Sequence, residues 1–239
     1  MTNGASLEGT AISVDGLRAA MTRLDLKRGD VVFAEGSPGD SLFVVQTGAV
    51  KVFRPRTVQR STSPTILAIL GPGDHFGEMS LLNGELRTAT VTAVRATTLL
   101  ELTRDAFDHE LEANSALAAT LMRDLARRIR LSSNAVAELV YADVPSRVAR
   151  AIVVLAEKFS VSTAPGETRV DHQLTQSELA EFVGAARESV NRALGILERA
   201  GAIVARPGFV KVTNYERLHA YAGLSAVRAP DPGDLASIP

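Results

Sequence analysis

Cysteine is absent from this chain of 239 residues. Its absence excludes disulfides, thiolate zinc sites, cysteine-ligated iron–sulfur clusters and a cysteine nucleophile, and with them redox sensing through a thiol. Long apolar runs are absent too, since none approaches the roughly 20 residues that a membrane span needs. The opening segment MTNGASLEGT lacks the basic and then apolar pattern of a signal peptide. We therefore expect a cytoplasmic protein with no membrane association.

Motifs for catalysis and metal binding are also missing. The sequence contains no P-loop, no recognisable Ser, His and Asp constellation and no pair of catalytic carboxylates. Its four histidines are scattered without the spacing of a metal site, and we expect all of them at the surface. These are His75, His109, His172 and His219. We predict neither an enzyme nor a metalloprotein.

Charge is unevenly distributed along the chain, although the net charge is only -1. Residues 1–143 carry a net charge of -2, residues 144–228 carry +3, and the tail from residue 229 carries -2. Hydrophobic residues make up 46% of the sequence, enough for one large or two ordinary domains. The basic excess lies in the last structured segment, where it is weak support for nucleic-acid binding because position matters more than total charge.

The first half of the chain has the pattern of an all-β domain. Between Lys27 and Glu101, short segments with alternating apolar residues are separated by turns rich in Gly, Pro and Asp, at residues 36–41, 46–48 and 71–74. This spacing predicts an antiparallel β-barrel or jelly roll. The polar, basic segment at residues 54–64 is predicted to be a mobile hairpin loop.

A long helix is predicted next, because Asp105–Tyr141 contains neither Gly nor Pro and has helical periodicity. A heptad-like seam runs along it, typical of a two-stranded coiled coil and therefore of a homodimer. The alternative is a helix that packs on its own barrel. The seam consists of Leu117, Leu121, Leu125, Arg128, Ser132, Ala135 and Leu139.

Pro145 is well placed in the first turn of a new helix, so we set a domain boundary there. Further helices are predicted at residues 146–160 and within 174–200, and two short strands around Pro207 resemble the wing of a winged helix. The predicted fold class is α+β. Its predicted parts are a β-barrel domain at 1–110, a dimerisation helix at 111–143, a winged helix-turn-helix at 144–226 and a disordered tail at 227–239.

The segment at residues 174–200 has the arrangement of a helix-turn-helix. Thr175 begins a capping box with Glu178, and Gly184 supplies the tight turn before the second helix. Polar residues then cluster at the N-terminal end of that helix, which is the end that meets the major groove. Arginine can pair with guanine and glutamate can accept from cytosine. The alternative is that these are ordinary solvated charges. They are Arg187, Glu188, Asn191 and Arg192.

A second polar group lies in the barrel, at residues 76–93. Gly77 allows close backbone approach to a ligand, Glu78 can accept from a ribose hydroxyl, and Arg87 with Thr88 can bind a phosphate. An internal salt bridge between Glu78 and Arg87 is the alternative interpretation.

Two seam positions, Arg128 and Ser132, are polar where a coiled coil favours apolar residues. Either they set the register of the coiled coil or are hydrated near the barrel, or they bind a polar ligand that lies between the barrel and the helix.

These segments resemble the CRP/FNR family of regulators, and the cAMP receptor protein branch in particular. The resemblance runs through residues 24–222 in family order and rests on three segments: VGAARESVNRAL, FGEMSLLNGELRTATVTA and ARRIRLSS. The first is similar to the family's recognition element, the second to its phosphate-binding cassette and the third to its adenine-binding segment.

The resemblance implies roles for individual residues. Arg187, Glu188 and Arg192 would contact bases in half-sites of the TGTGA type, with Ser189 and Asn191 nearer the phosphates. Thr175 and Gln176 complete the implied DNA-binding set. In the family's best-known member Thr stands at the position of Ser132. The implied nucleotide-binding set is Gly77, Glu78, Met79, Ser80, Arg87, Thr88, Arg128, Ser132 and Ser133, with one serine reaching the base from the partner subunit.

The function that the resemblance implies is a homodimeric regulator that binds double-stranded DNA under the control of cAMP, with RNA polymerase as a further partner. One alternative is a DNA-binding family member that is constitutively active or senses cGMP or another small molecule. The other alternative is a cyclic-nucleotide-dependent enzyme or adaptor, which the short C-terminal segment without catalytic motifs argues against.

Overall fold

The computed structural model describes residues 20–55, 64–113, 118–120, 122–123, 125–127, 129–130, 142–164 and 167–224. The chain divides into two compact units, Met1–Ala137 and Glu138–Pro239.

In the first unit the described residues form two four-stranded antiparallel sheets, in the orders β1-β8-β3-β6 and β2-β7-β4-β5. This arrangement confirms the predicted antiparallel β domain. The strands are β1 Thr22–Leu26, β2 Val31–Phe33, β3 Ser41–Thr47, β4 Val50–Arg54, β5 Thr65–Leu70, β6 His75–Phe76, β7 Thr90–Ala93 and β8 Thr97–Thr103.

Strand β3 is buried on both faces, which explains why four consecutive apolar residues follow Ser41. Phe43 and Val45 belong to the main core between the sheets, together with Phe76. Leu42 points the other way, into a smaller cluster with Leu81, Leu102 and Phe107. Burial of a large apolar side chain contributes about 1.5–3 kcal/mol, so both clusters stabilise this unit.

The smaller cluster holds two helices against the sheet that contains β3 and β8: α1 Glu78–Asn83 and α2 Arg104–Ala113. Helix α1 lies within the segment that we interpret as the phosphate-binding cassette, and the sequence pattern did not predict it. Gly77 precedes this helix with φ of 88°, and Gly84 ends it with φ of 67°. Both values favour glycine.

The residues described between 118 and 130 are helical, as the sequence predicts. Of the predicted seam, only Leu125 lies among the described residues, and so the seam stays a prediction. Part of the predicted loop at 54–64 also lies outside them, at residues 56–63, as does the predicted disordered tail.

In the second unit the described residues form four helices and one four-stranded sheet. Asp143 caps the first helix by accepting a hydrogen bond from the Ser146 amide (2.9 Å), with Pro145 in the first turn. The sheet has the order β11-β12-β10-β9, so a hairpin extends the two strands of the wing. The elements are α3 Val144–Phe159, β9 Ser160–Ala164, β10 Glu167–Val170, α4 Gln176–Val183, α5 Arg187–Arg199, β11 Ile203–Arg206, β12 Phe209–Val212 and α6 Tyr215–Tyr221.

The expectation that all four histidines lie at the surface is wrong for His75 and His172, which are 1% and 4% exposed. His75 belongs to β6 and pairs with Val44 of the buried strand β3. His172 precedes α4 in the sequence, and its Nδ1 accepts a hydrogen bond from the Leu174 amide (3.0 Å). In the described part of the chain no three potential ligands converge on a metal site. No described helix has the length and apolarity to cross a membrane.

Candidate ligand and nucleic-acid sites

Arg87 is the central residue of the candidate ligand site, and its side chain is almost completely buried. Its Nη1 donates to the carbonyl of Gly77 and its Nη2 to the carbonyl of Ser41, both at 2.9 Å. The guanidinium therefore lies between the start of α1 and the start of β3, and it holds the two together.

Aromatic rings and acidic groups surround this guanidinium. Its carbon lies 4.1 Å from the ring centroid of Phe33 and 5.7 Å from that of Phe43, within cation–π range. Burial lowers the pKa of Arg87 below its usual value, while the charges of Asp40, Glu101 and Glu78 act in the opposite direction. Arginine nevertheless stays protonated in proteins, so a positive charge is buried here.

The Nε donor of Arg87 is not used by any described residue. This nitrogen is buried as well. An unpaired donor on a buried cation is costly unless an acceptor binds it. An anionic oxygen would satisfy this donor and the positive charge together, which fits a phosphate.

Two glycines let the backbone pack directly against the guanidinium. A Cβ atom at Gly39 would lie 3.0 Å from Nε of Arg87 and 2.3 Å from Cβ of Ser80. A Cβ atom at Gly77 would lie 2.7 Å from Nη1 of Arg87. The sequence predicts that Gly77 allows the backbone to approach a ligand closely, whereas for Gly39 it predicts only a turn.

The other predicted cassette residues lie in α1 or contact it. Glu78 and Ser80 of α1 are buried, whereas Met79 is half-exposed. Thr88 is exposed, and its hydroxyl lies 3.9 Å from the sulfur of Met79. The structure thus places Gly77, Glu78, Met79, Ser80, Arg87 and Thr88 in or directly beside α1. The predicted adenine contacts Arg128, Ser132 and Ser133 lie outside the described residues.

In the second unit, both hydrogen bonds of the capping box at the start of α4 are present. The Thr175 hydroxyl accepts from the Glu178 amide (3.2 Å), and the Glu178 carboxylate accepts from the Thr175 amide (2.8 Å). Gly184 ends the helix with φ of 71°. Its carbonyl accepts from Arg147 of α3 (3.3 Å). These contacts fix the turn between α4 and α5.

Helix α5 presents one apolar and one polar face. Val190, Leu194 and Leu197 are buried, as their spacing predicts. The predicted base-contacting residues Arg187, Glu188 and Arg192 are all exposed at its N-terminal end. Asn191 is exposed beside them, and Nη2 of Arg192 donates to the half-buried hydroxyl of Ser189 (2.9 Å). A shallow pocket of about 260 Å³ adjoins this helix, lined by Gln176, Asn191, Leu194, Gly195, Glu198, Ala205, Arg206 and Pro207.

The wing, residues 203–212, is tied to the segment that precedes α4. Arg169 of β10 stacks its guanidinium 3.8 Å from the ring centroid of Phe209. The Gln173 amide donates to the Gly208 carbonyl at the wing turn (2.7 Å), and Gln173 itself has φ of 56°, which is uncommon for a residue other than glycine. No pattern in the sequence signals this contact, because it joins residues 35 or more positions apart.

Comparison with known families matches both units. Residues 23–114 match the family model "Cyclic nucleotide-binding domain". Residues 146–221 match the family model "Crp-like helix-turn-helix domain".

Similar proteins extend across most of the chain. The CRP-like cAMP-activated global transcriptional regulator of Mycobacterium tuberculosis is 38% identical over 84% of this chain and 89% of that protein. The cyclic AMP receptor protein of Thermus thermophilus is 34% identical over 77% of this chain and 81% of its own length. A solved transcriptional regulator of the CRP/FNR family, also from Thermus thermophilus, superposes with a TM-score of 0.69 at 25% identity, covering 84% of this chain and 98% of that one.

Proposed function

Because this chain belongs to the CRP/FNR family of transcription regulators, we propose that it is a homodimeric, sequence-specific DNA-binding protein whose DNA affinity is controlled by cAMP. Membership of this family makes the protein a regulator of transcription and not an enzyme. Beyond family membership, we propose its ligand, its oligomeric state and the DNA sequence that it binds. We also propose that it acts in the cytoplasm and that RNA polymerase is a partner.

The observation that carries the ligand proposal is the buried guanidinium of Arg87. Its Nε lacks a partner among the described residues, and Gly39 and Gly77 bring the backbone close to the guanidinium. A cyclic phosphate bound here would supply an acceptor and a negative charge, with the hydroxyls of Ser80 and Thr88 nearby as further donors. Glu78 would accept from the ribose 2′-hydroxyl, the only hydroxyl left free on the sugar of a 3′,5′-cyclic nucleotide.

The choice of cAMP over cGMP depends on residues beyond the barrel. Arg128, Ser132 and Ser133 are proposed to contact the adenine base, with one serine coming from the partner subunit. Among the named relatives, the protein from Mycobacterium tuberculosis is called cAMP-activated and the one from Thermus thermophilus a cyclic AMP receptor. Both names support cAMP for this chain.

Exposed apolar side chains support dimerisation through the segment at residues 118–130. Met122 and Ile129 are 64% and 67% exposed and lie seven residues apart, on the same side of a helix. Leu125 is half-buried between them. A second copy that packs against this side would remove their apolar surface from water.

For DNA, we propose that Arg187, Glu188 and Arg192 contact base edges and that the two helices α5 of a dimer read an inverted TGTGA repeat. Thr175, Gln176, Ser189 and Asn191 are proposed to contact the phosphate backbone. Glu188 adds specificity because an ionised carboxylate can only accept, so it favours a base edge that offers a donor.

The proposal is tested by fluorescence anisotropy with a labelled duplex that carries an inverted TGTGA repeat, titrated at fixed salt without ligand, with cAMP and with cGMP. A duplex with scrambled half-sites is the control, and calorimetry measures nucleotide binding directly. We expect cAMP to bind and to raise affinity for the repeat above that for the control. Heat without any gain in DNA affinity would refute control by cAMP. No heat with either nucleotide, with full affinity for the repeat, would instead indicate a constitutive regulator or another effector.

A further inference from the structure

Helix α1 of the cassette is also held by a second arginine, Arg104. Its Nη1 donates to the Leu81 carbonyl (2.9 Å) and its Nη2 to the Ser80 carbonyl (3.2 Å). Both acceptors belong to α1, whereas Arg104 is the first residue of α2. One side chain therefore joins the ligand segment to the helix that leads towards residues 118–130.

The backbone of Arg104 is fixed as well. Its amide donates to the Asp40 carbonyl (2.8 Å). The next residue, Ser41, offers its carbonyl to Arg87 (2.9 Å). The two arginines thus bind neighbouring carbonyls at the start of β3. Arg87 also binds Gly77, directly before α1, and Arg104 binds Ser80 and Leu81 within α1.

Packing reinforces the connection between the two helices. Leu81 of α1 and Phe107 of α2 belong to the same buried cluster, with exposures of 3% and 2%, and this cluster is separate from the core between the sheets. Close-packed side chains transmit a displacement because they have no free volume to absorb it. A shift of α1 is therefore passed to α2 through both the guanidinium and the apolar contact.

A phosphate at the Nε of Arg87 would act on the same guanidinium that fixes the start of α1. The Nη1 and Nη2 donors of that group serve Gly77 and Ser41, so a displacement of the guanidinium by the new acceptor reaches α1 through the bond to Gly77. The bonds from Arg104 to Ser80 and Leu81 then determine whether α2 follows α1. A planar guanidinium with two donors in fixed geometry suits such a connection better than a flexible ammonium group.

We infer that Arg104 is a positioning residue that transmits ligand occupancy at Arg87 from helix α1 to helix α2, and through it to the DNA-binding unit. This inference rests on the proposed function, since it assigns the regulation of that same ligand site. Arg104 couples the two sites and does not contact the ligand.

The test compares full-length Arg104→Ala and Arg104→Lys with the unmodified protein. Arg28→Ala is the matched control, because Arg28 also donates to a backbone carbonyl of this unit, that of Val94. Calorimetry gives the Kd for cAMP, and duplex titrations with and without saturating cAMP give the stimulation of DNA affinity. In Arg104→Ala we expect the Kd for cAMP to change by less than about threefold, while the stimulation falls by about fivefold or more. Arg104→Lys restores part of the stimulation, and Arg28→Ala retains all of it.

Linkage supplies a readout that a merely structural role would not change. Coupling free energy is reciprocal, so the repeat duplex should raise cAMP affinity in the unmodified protein and fail to do so in Arg104→Ala. In hydrogen exchange, cAMP should protect the amides of α2 in the unmodified protein and in Arg104→Lys, but not in Arg104→Ala. If Arg104→Ala does not fold, Arg104→Met, which keeps an unbranched side chain without donors, is judged by the same criteria against Arg28→Ala.

Two results would overturn the inference: full stimulation in Arg104→Ala, or a loss of cAMP affinity that accounts for all of the lost stimulation. Failure of the proposed function looks different, because the unmodified protein would then show no cAMP response at all.

Discussion

Gly39 packs against Ser80 so closely that a Cβ atom at position 39 would lie 2.3 Å from the Cβ of Ser80. The same atom would lie 3.0 Å from the Nε of Arg87. The turn before β3 therefore forms one wall of the proposed phosphate site, although it is far from α1 in sequence.

Gly39→Ala should destabilise the first unit and weaken cAMP binding, because one of the two backbones must move. Overpacking of this kind costs about 1–3 kcal/mol. Calorimetric unfolding measures the loss, and Ser80→Gly in the same chain should recover most of the stability by removing the opposing Cβ. Gly195→Ala is the control, since its Cβ would meet only the end of the Arg199 side chain at 3.4 Å. Equal stability of Gly39→Ala and the unmodified protein would show that this wall is not rigid.

Arg87→Ala should abolish cyclic-nucleotide binding, because the ligand phosphate would lose its buried counter-charge. By analogy with buried charge pairs the loss is about 2–5 kcal/mol, or at least about 30-fold in Kd. Arg54→Ala is the control, because Arg54 forms an exposed ion pair with Glu35 (2.7 Å) in the same unit.

Arg87 also holds Gly77 and Ser41, so its loss affects folding as well as binding. Thr88→Ala separates the two effects, since the Thr88 hydroxyl is exposed and its removal should weaken binding only about twofold to tenfold. Unchanged cAMP affinity in folded Arg87→Ala would refute the ligand assignment.

The second unit should lose stability in mild acid because of His172. Burial lowers the pKa of this imidazole to about 4, although the negative charges of Asp171 and Glu178 act to raise it. The folded state therefore binds fewer protons than the unfolded state between the ordinary value of 6.5 and about 4. Stability is full above pH 6.5 and falls as the pH drops, by roughly 3 kcal/mol once pH 4 is reached.

Tyrosine fluorescence can follow this unit alone, because all three tyrosines lie beyond residue 140 and tryptophan is absent. Urea unfolding at pH 7 and at pH 4.5 should show a smaller loss in His172→Gln than in the unmodified chain. His109→Gln, at an exposed position, is the control. If all three proteins lost the same free energy of unfolding between pH 7 and pH 4.5, protonation of His172 would not destabilise this unit.

Substitutions on α5 should change DNA sequence preference in a residue-specific way. Arg187→Ala and Arg192→Ala should each cost about 1–3 kcal/mol on the repeat and much less on random DNA, because they remove guanine contacts. Glu188→Ala should relax discrimination at a single base pair. Each effect should occur in both half-sites, since a two-fold dimer presents the same helix twice.

Selection from randomised duplexes, with cAMP and at fixed salt, measures these preferences. Lys158→Ala, in the last turn of α3, tests whether loss of any positive charge has the same effect. Enriched sites without an inverted repeat, or a Glu188 variant that selects the parent half-site with equal stringency, would show that these residues are solvated surface.

The helix-turn-helix was predictable because its signals act over a few residues. Thr175 and Glu178 cap one turn of helix, Gly184 takes a backbone conformation that favours glycine, and the spacing of Val190 and Leu194 sets the buried face of α5. Local backbone preferences and helical periodicity determine all of these features. The all-β character of the first unit was likewise visible in alternating residues and turns.

The surroundings of Arg87 were not predictable in this way. The sequence named the residue, but strand register brings it to Ser41, 46 positions away, and packing brings it to Phe33 and Gly39. The burial of His172 and the bonds from Arg104 to α1 have the same origin. The sequence alone determined most of the secondary structure, although not α1, and it named the polar residues of both candidate sites. Which distant residues meet depends on the pairing and packing of whole elements, and only the tertiary structure decided that.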